Sequence, residues 1–249
     1  MKQFNYFMLT LMFLLIGTFA FGSPPPAEEI LRIVDNHRLV SDSFEMTIRV
    51  DNYINDQYEG STIMNGCVGK GKLETLVFLE PSNMEGRKMV IDGENIKLII
   101  PNVKNPVRIT PSQRLVGGIS YGDVAAIGYG DLYTPKLIGE EQVIGMNSDG
   151  TKTDEIQCYT LELLAKGRVS NYHKILLWVE KQNYLPVKGD FYALSGKKMT
   201  TVYYTAPKEW DGTNIITKMF LFDQINTSKH FIMEYSNFKE KSTADILEN

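Results

Sequence analysis

Histidine and cysteine are scarce in this chain: 249 residues carry three of the first and two of the second, Cys67 and Cys158. A four-cysteine metal site and a disulfide scaffold are therefore out of reach, and a dedicated metal centre has few ligands to draw on. A basic excess is missing too. Lys plus Arg number 26 against 30 Asp plus Glu, a net charge of −4, whereas a nucleic-acid binder neutralises phosphates with a surplus of cations. Neither DNA nor RNA is an expected partner. No internal repeat, long linker or low-complexity tract divides the sequence. With 43% hydrophobic and 22% charged residues, what remains is ordinary globular composition.

Residues 1–22 read as a secretory signal peptide. Lys2 supplies the positive start, Phe7 through Ile16 is apolar except for Thr10, and Ala20-Phe21-Gly22 ends the segment with the small residues of a cleavage site. The apolar run falls short of the ~20 residues that span a bilayer. No cysteine follows it for lipid attachment. The expected product is residues 23–249, soluble after export into an oxidising compartment, where Cys67 and Cys158 either pair or stay as two separate thiols.

Pro24-Pro25-Pro26 leads into a helix over residues 27–40, with Ile30, Ile33, Val34 and His37 on one face. His37 there reads as a packed or partly exposed residue rather than a ligand. From Phe44 the period becomes two: Phe44, Met46, Ile48 and Val50 alternate with Glu45, Thr47, Arg49 and Asp51. Turn signals follow at Asn55-Asp56, Asn65-Gly66, Pro81-Ser82-Asn83, Asp92-Gly93, Asp149-Gly150, Ser195-Gly196 and Asp211-Gly212. Between them lie strand-like runs, among them Leu73 to Leu79, Ile96 to Ile100, Tyr172 to Glu180 and Ile215 to Asp223. A short helical piece is expected around Asp123 to Ile127. The pattern is a mainly β antiparallel meander behind one opening helix. Leu73 to Leu79 and Ile96 to Ile100 are apolar on both faces, which suits either a curved sheet with helices inside it or a sandwich.

Three short motifs suggest chemistry that their context denies. Gly118-Ile119-Ser120-Tyr121-Gly122 matches the nucleophile elbow G-x-S-x-G, with Asp190, His173 and His230 downstream. Residues 114–117 make a poor strand and β/α alternation is lacking, so a serine hydrolase using Ser120 is a remote alternative. Gly66 to Lys72 matches the start of a P-loop, but Leu73 has no hydroxyl for Mg²⁺ and a strand follows where a helix is needed. Glu140 and Glu141 are adjacent, so on an extended chain they face opposite ways, and they read as a solvated loop rather than a glycosidase pair. No catalytic residue, cofactor or metal is expected.

The run PNVKNPVRITPSQRLVGGISYGD at 101–123 resembles the LolA-like family of outer-membrane lipoprotein-sorting proteins. The resemblance continues through Leu177-Trp178-Val179-Glu180, Tyr184 to Gly189, Tyr192 to Lys197, and Lys218-Met219. It implies a single domain over 23–249, an incomplete antiparallel β-barrel of about eleven strands with an N-terminal helix and a short lid helix. It also implies a non-enzymatic, monomeric periplasmic carrier or chaperone. Such a carrier holds lipoprotein acyl chains or other lipids in a hydrophobic cavity for transfer toward the outer membrane, between an inner-membrane exporter and an outer-membrane acceptor. The alternative is a lipid-free module docking a membrane exporter, which predicts an ordered, filled core.

Acyl binding calls for a long apolar wall, each buried CH₂ contributing ~0.8 kcal/mol. Residues sharing strand faces are the candidates for it: Phe44, Met46 and Ile48; Leu76 and Phe78; Met89 and Ile91; Leu98 and Ile100; Leu176 and Trp178. Carriers of the family hold the lid with an arginine on an early strand, and the nearest counterpart here, Gly69-Lys70-Gly71-Lys72, has none. The segment Thr110 to Asp131 is the candidate gate. Gly117, Gly118, Gly122, Gly128 and Gly130 serve it as hinges or simply satisfy turns, and Arg114 and Asp123 are the charged groups that would hold it.

Overall fold

The computed structural model describes residues 24–39, 41–69, 72–92, 95–110, 112–114, 119–125, 128–167 and 172–241. The signal peptide expected at 1–22 and the glycines Gly117 and Gly118 lie outside them. Helix α1 (Ala27–Asn36) begins after Pro26, carries Glu28 and Glu29 in its first turn and buries Ile30, Leu31 and Val34. Early acidic residues complement the positive end of the helix dipole. The helix ends short of the expected Val40 because the strands claim His37. Its carbonyl accepts the Ile216 N–H at 2.7 Å, and its ring nitrogens lie 2.7 Å from the Asn214 carbonyl and 3.0 Å from the Asn183 carbonyl.

Thirteen strands follow, in place of the expected eleven or so. They are β1 (Phe44–Ile54), β2 (Gln57–Gly69), β3 (Lys72–Glu80), β4 (Lys88–Asp92), β5 (Asn95–Ile99), β6 (Val107–Ile109), β7 (Tyr133–Met146), β8 (Lys152–Ala165), β9 (Lys174–Glu180), β10 (Pro186–Tyr192), β11 (Lys198–Trp210), β12 (Thr213–Asp223) and β13 (Lys229–Glu240). Helix α2 (Tyr121–Ala125) lies between β6 and β7. All the strands form one sheet in the order β6-β5-β4-β3-β2-β1-β13-β12-β11-β10-β9-β8-β7. The first and last strands pair antiparallel in the middle of the sheet, which leaves β6 and β7 as its two open edges. This is an incomplete β-barrel.

Its concave face and the two helices share one core. Phe44, Met46, Ile48, Leu76, Phe78, Met89 and Leu98 are buried in it, and Ile91 and Ile100 pack against it half-buried. Leu176 and Trp178 lie on the other face. On β9 the residues Ile175, Leu177 and Val179 join the concave core, while Trp178 and the half-buried Leu176 pack with Cys158, Val187, Val143 and Ile156. Both phases of this strand are apolar, so alternation alone did not decide which points inward. The outer cluster exists because the β7–β8 hairpin curls over the outside of the sheet. Gly145 packs against Val187 of β10, and the turn residue Gly150 against the Phe220 ring of β12. Cys67 and Cys158 are both free thiols, and burial pushes the Cys158 thiol up to about 12.

Two further expectations fail for identifiable reasons. Asn65-Gly66 is mid-strand in β2, where Gly66 faces Ile48, Leu73 and Leu76, and a Cβ would lie 3.2 Å from the Leu73 methyl. Glycine here makes room for core side chains rather than a turn. Glu140 and Glu141 lie in β7, not in a loop; Glu141 accepts bonds from Trp178 Nε1 at 2.6 Å and Thr160 Oγ1 at 3.0 Å, while Glu140 pairs with Lys181 at 2.5 Å. They do face opposite ways.

Gly189 on β10 shows how tightly the concave face is filled. A Cβ there would sit 2.8 Å from Phe191 Cε2 and 3.2 Å from the Tyr204 hydroxyl. Overpacking of this kind costs about 1–3 kcal/mol, and each kcal/mol lowers Tm by about 2–4 °C in a chain of this size. Gly189→Ala is therefore expected to melt several degrees below the parent by circular dichroism. An unchanged Tm would mean that the ring and the hydroxyl yield freely.

Candidate functional site

The described residues of the chain between β6 and β7 are attached to the concave side at both ends of the segment and in its middle. Its apolar attachment is Ile119, Tyr121 and Val124, all buried in the common core. Ser120 starts α2 in a capping box. The Ser120 hydroxyl donates to Asp123 Oδ2 at 2.6 Å, the Ser120 N–H donates to the same oxygen at 3.0 Å, and the Asp123 N–H returns a bond to Ser120 Oγ at 3.1 Å. The sequence Ser120-Tyr121-Gly122-Asp123 thus has the S-x-x-D form of a helix start. That is the structural role of the G-x-S-x-G serine. Gly122 lies within α2 and is no hinge.

The polar attachments run to four different parts of the fold. Asp123 Oδ1 accepts the Tyr172 hydroxyl at 2.7 Å, and that hydroxyl lies 3.1 Å from Thr200 Oγ1 on β11. Burial raises the Asp123 carboxyl above the usual carboxylate range, against the bonds from Ser120 and Tyr172 and the charge of Arg114. Arg114 reaches Asp223 at the end of β12, 3.5 Å away. Asp35 on α1 accepts the N–H groups of Tyr129 at 2.8 Å and Gly130 at 2.7 Å. Gly128 and Gly130 are glycines for closeness: a Cβ on Gly130 would lie 3.0 Å from the Asp35 carboxylate. Burial also raises the Asp35 pKa, opposed by those two amide bonds. At the far end Lys72 pairs with Asp131 at 2.9 Å, so the lysine stretch where an arginine was sought does touch this segment. Both partners are about two-thirds exposed, and such pairs contribute little.

Under this segment lies a cavity of about 110 Å³. Arg114, Asp123, Tyr172 and Asp223 give it a polar rim, and Met199, Leu221 and Phe231 an apolar floor. Pockets that enclose small-molecule ligands run to about 300–1,000 Å³, so this cavity as it stands is smaller than such a pocket. Beside it Arg38 is enclosed by tyrosines, 4.6 Å from the Tyr129 ring centre and 5.9 Å from that of Tyr204. The Tyr129 and Tyr204 hydroxyls are 2.6 Å apart. Both gate residues expected from sequence, Arg114 and Asp123, line this cavity. Asp35, Arg38, Tyr172 and Asp223 were missed, because each is brought to the segment by long-range folding and none stands in a local pattern.

Comparison with known proteins fits this geometry. A LolA superfamily protein from Nitrosomonas europaea superposes with a TM-score of 0.79 at 26% identity, over 91% of this chain and 98% of that one. A family model described as "-like: Uncharacterized protein" matches residues 71–246. The chain belongs to the LolA-like family. This LolA-like protein shares its fold with a DUF1329 family protein from Desulfovibrio piger, at 19% identity and TM-score 0.67 over 88% of this chain and 95% of that one. It shares the fold too with a domain from Vibrio parahaemolyticus named for outer membrane lipoprotein sorting. There the identity is 18% and the TM-score 0.66, over 90% of this chain and all of that domain. No curated protein matches the sequence. Among the described residues, no helix is long and apolar enough to cross a membrane.

Proposed function

We propose that this LolA-like protein carries lipid or lipoprotein acyl chains between membranes of the cell envelope, and that the segment from Thr110 to Asp131 is the lid over its binding wall. The supporting observation is a segment whose described residues sit on the apolar core through Ile119, Tyr121 and Val124 and are held by polar pairs beside a cavity. Magnitudes allow the exchange. Re-exposing Ile119, Tyr121 and Val124 costs roughly 6 kcal/mol at about 2 kcal/mol each, whereas burying an acyl chain of about sixteen carbons gains roughly 12 kcal/mol. Cargo can therefore take the place of the lid on the wall formed by Phe44, Met46, Ile48, Leu76, Phe78, Met89, Ile91, Leu98 and Ile100. Leu176 and Trp178 face away from that wall and are not proposed as contacts. No step of this reading uses a catalytic residue, and Ser120 acts in it as a helix cap.

The test is to express residues 23–249, purify the protein without detergent and analyse its extract by lipid mass spectrometry beside an unrelated exported control. Enrichment to about one lipid per protein supports a carrier. Arg114→Ala should then speed uptake of a fluorescent acyl probe by up to a few-fold, the scale of one partly exposed ion pair that holds the closed state. No enrichment and no probe uptake would shift the reading to a lipid-free module that docks a membrane exporter, which the filled core would equally suit.

A further inference from the structure

Charge is unevenly spread over the sheet. From Arg87 to Arg108 the chain has five basic residues against two acidic ones, in a protein whose net charge is −4. The strands put three of these cations, Lys88, Lys97 and Arg108, on one face. Lys97 pairs with Val90 on one side and Arg108 on the other, and the next rung pairs Val77 with Lys88 and Lys88 with Ile99. Alternate residues Ile96, Leu98 and Ile109 point into the core, so Lys88, Lys97, Ile99 and Arg108 point out. Among the described residues none of Lys88, Lys97, Lys104 and Arg108 makes an ion pair.

The same edge exposes apolar side chains that the core does not use. Every residue from Pro101 to Arg108 is exposed, forming the β5–β6 turn and the start of β6. Val103 in the turn is 49% exposed and Ile99 on the outer face of β5 is 40% exposed, while Val107, 43% exposed, pairs with the core residue Leu98 and lies on the inner side of the β6 edge. Lys104 adjoins Val103 in the turn, and Lys97 and Arg108 share the outer face with Ile99. Cations that neutralise a negative surface, set around apolar side chains that enter it, are the two components of peripheral membrane attachment. A purely electrostatic site for an acidic protein would have no use for the protruding aliphatic residues Ile99 and Val103.

We propose that the β5–β6 hairpin, with the outer face of β4, is a docking surface for an anionic lipid bilayer. The reading is independent of what the concave face carries. It places the protein on a membrane through the open β6 edge, adjacent in sequence to the lid that begins at Thr110. Docking there would hold the start of the lid against the lipid from which cargo comes or to which it goes.

The experiment is co-sedimentation with vesicles of phosphatidylcholine alone and of three parts phosphatidylcholine to one part phosphatidylglycerol. Binding is expected to the second only, and to fall with added salt. Lys97→Gln with Lys104→Gln and Arg108→Gln, all exposed, should weaken it about a hundredfold at the usual contribution per cation. Ile99→Ser with Val103→Ser should weaken it at unchanged charge. Equal binding to both vesicle types, or full binding by the triple variant with native circular dichroism, would overturn the proposal. Loss with the cation variant but not with the Ile99 and Val103 variant would also overturn it and point to an acidic protein partner. Lipid co-purification is measured separately, so failure of either reading leaves the other standing.

Discussion

Asp35→Ala is expected to unfold the protein about 10 °C below the parent, the largest effect of any single polar substitution considered. The carboxylate accepts two backbone N–H groups, from Tyr129 at 2.8 Å and Gly130 at 2.7 Å, at the point where the lid rejoins the sheet. Alanine leaves both amides without that acceptor, at about 1–3 kcal/mol each. It also removes a negative charge that adds, behind the three surrounding tyrosines, to what favours the enclosed Arg38 guanidinium. Part of this is returned, because burial raises the Asp35 pKa and so holds the carboxylate at a cost of its own. A net loss of about 4 kcal/mol follows, or roughly 8–16 °C. Asp35→Asn, which keeps one acceptor oxygen, should fall between. A parent-like Tm for the alanine variant would show that the Tyr129 segment is held by its apolar contacts alone.

The sequence is most informative where one face is apolar and the other wet. In β1 the residues Phe44, Met46, Ile48 and Val50 are buried, and their alternation marks them unambiguously. In β9 the same rule is silent, because Ile175, Leu177 and Val179 are matched by Leu176 and Trp178 in the other phase. The difference arises from the β7–β8 hairpin folding over the outer face, a contact between strands far apart in sequence. Strand β7 itself was hidden by its exposure: Glu140, Glu141 and two glycines interrupt its apolar pattern because much of it faces solvent. Of the site, Arg114 and Asp123 were legible as charges in a glycine-rich segment. Their partners Asp223 and Tyr172 were not, since a partner 49 residues away leaves no local trace. Gly128 and Gly130 looked like hinges from composition, and only the position of Asp35 shows that they are glycines for want of space.

Acidification should close the lid and slow the uptake of an acyl probe. Asp123 and Asp35 are both raised above the usual carboxylate range in the closed state, in each case chiefly by burial. An open lid returns Asp123 to water and its carboxyl to the ordinary value near 3.9. Between that value and the raised one the closed form binds more protons than the open form. By linkage, its free energy relative to the open form then becomes more favourable as pH falls. Above the raised pKa both forms are ionised, the dependence vanishes, and the closed form bears the full cost of a buried carboxylate. Uptake should therefore be fastest in neutral or alkaline solution and decline as pH drops toward the ordinary carboxylate range. Asp123→Asn keeps the shape and an acceptor for the Tyr172 hydroxyl but cannot titrate, so its uptake should vary less with pH. The residual slope would belong to Asp35 if the whole segment through Gly130 lifts, and a variant with a flat profile would confine the motion to α2. Stopped-flow fluorescence across this range distinguishes the cases, and faster uptake in acid would reverse the assignment of the buried carboxyls to the closed state.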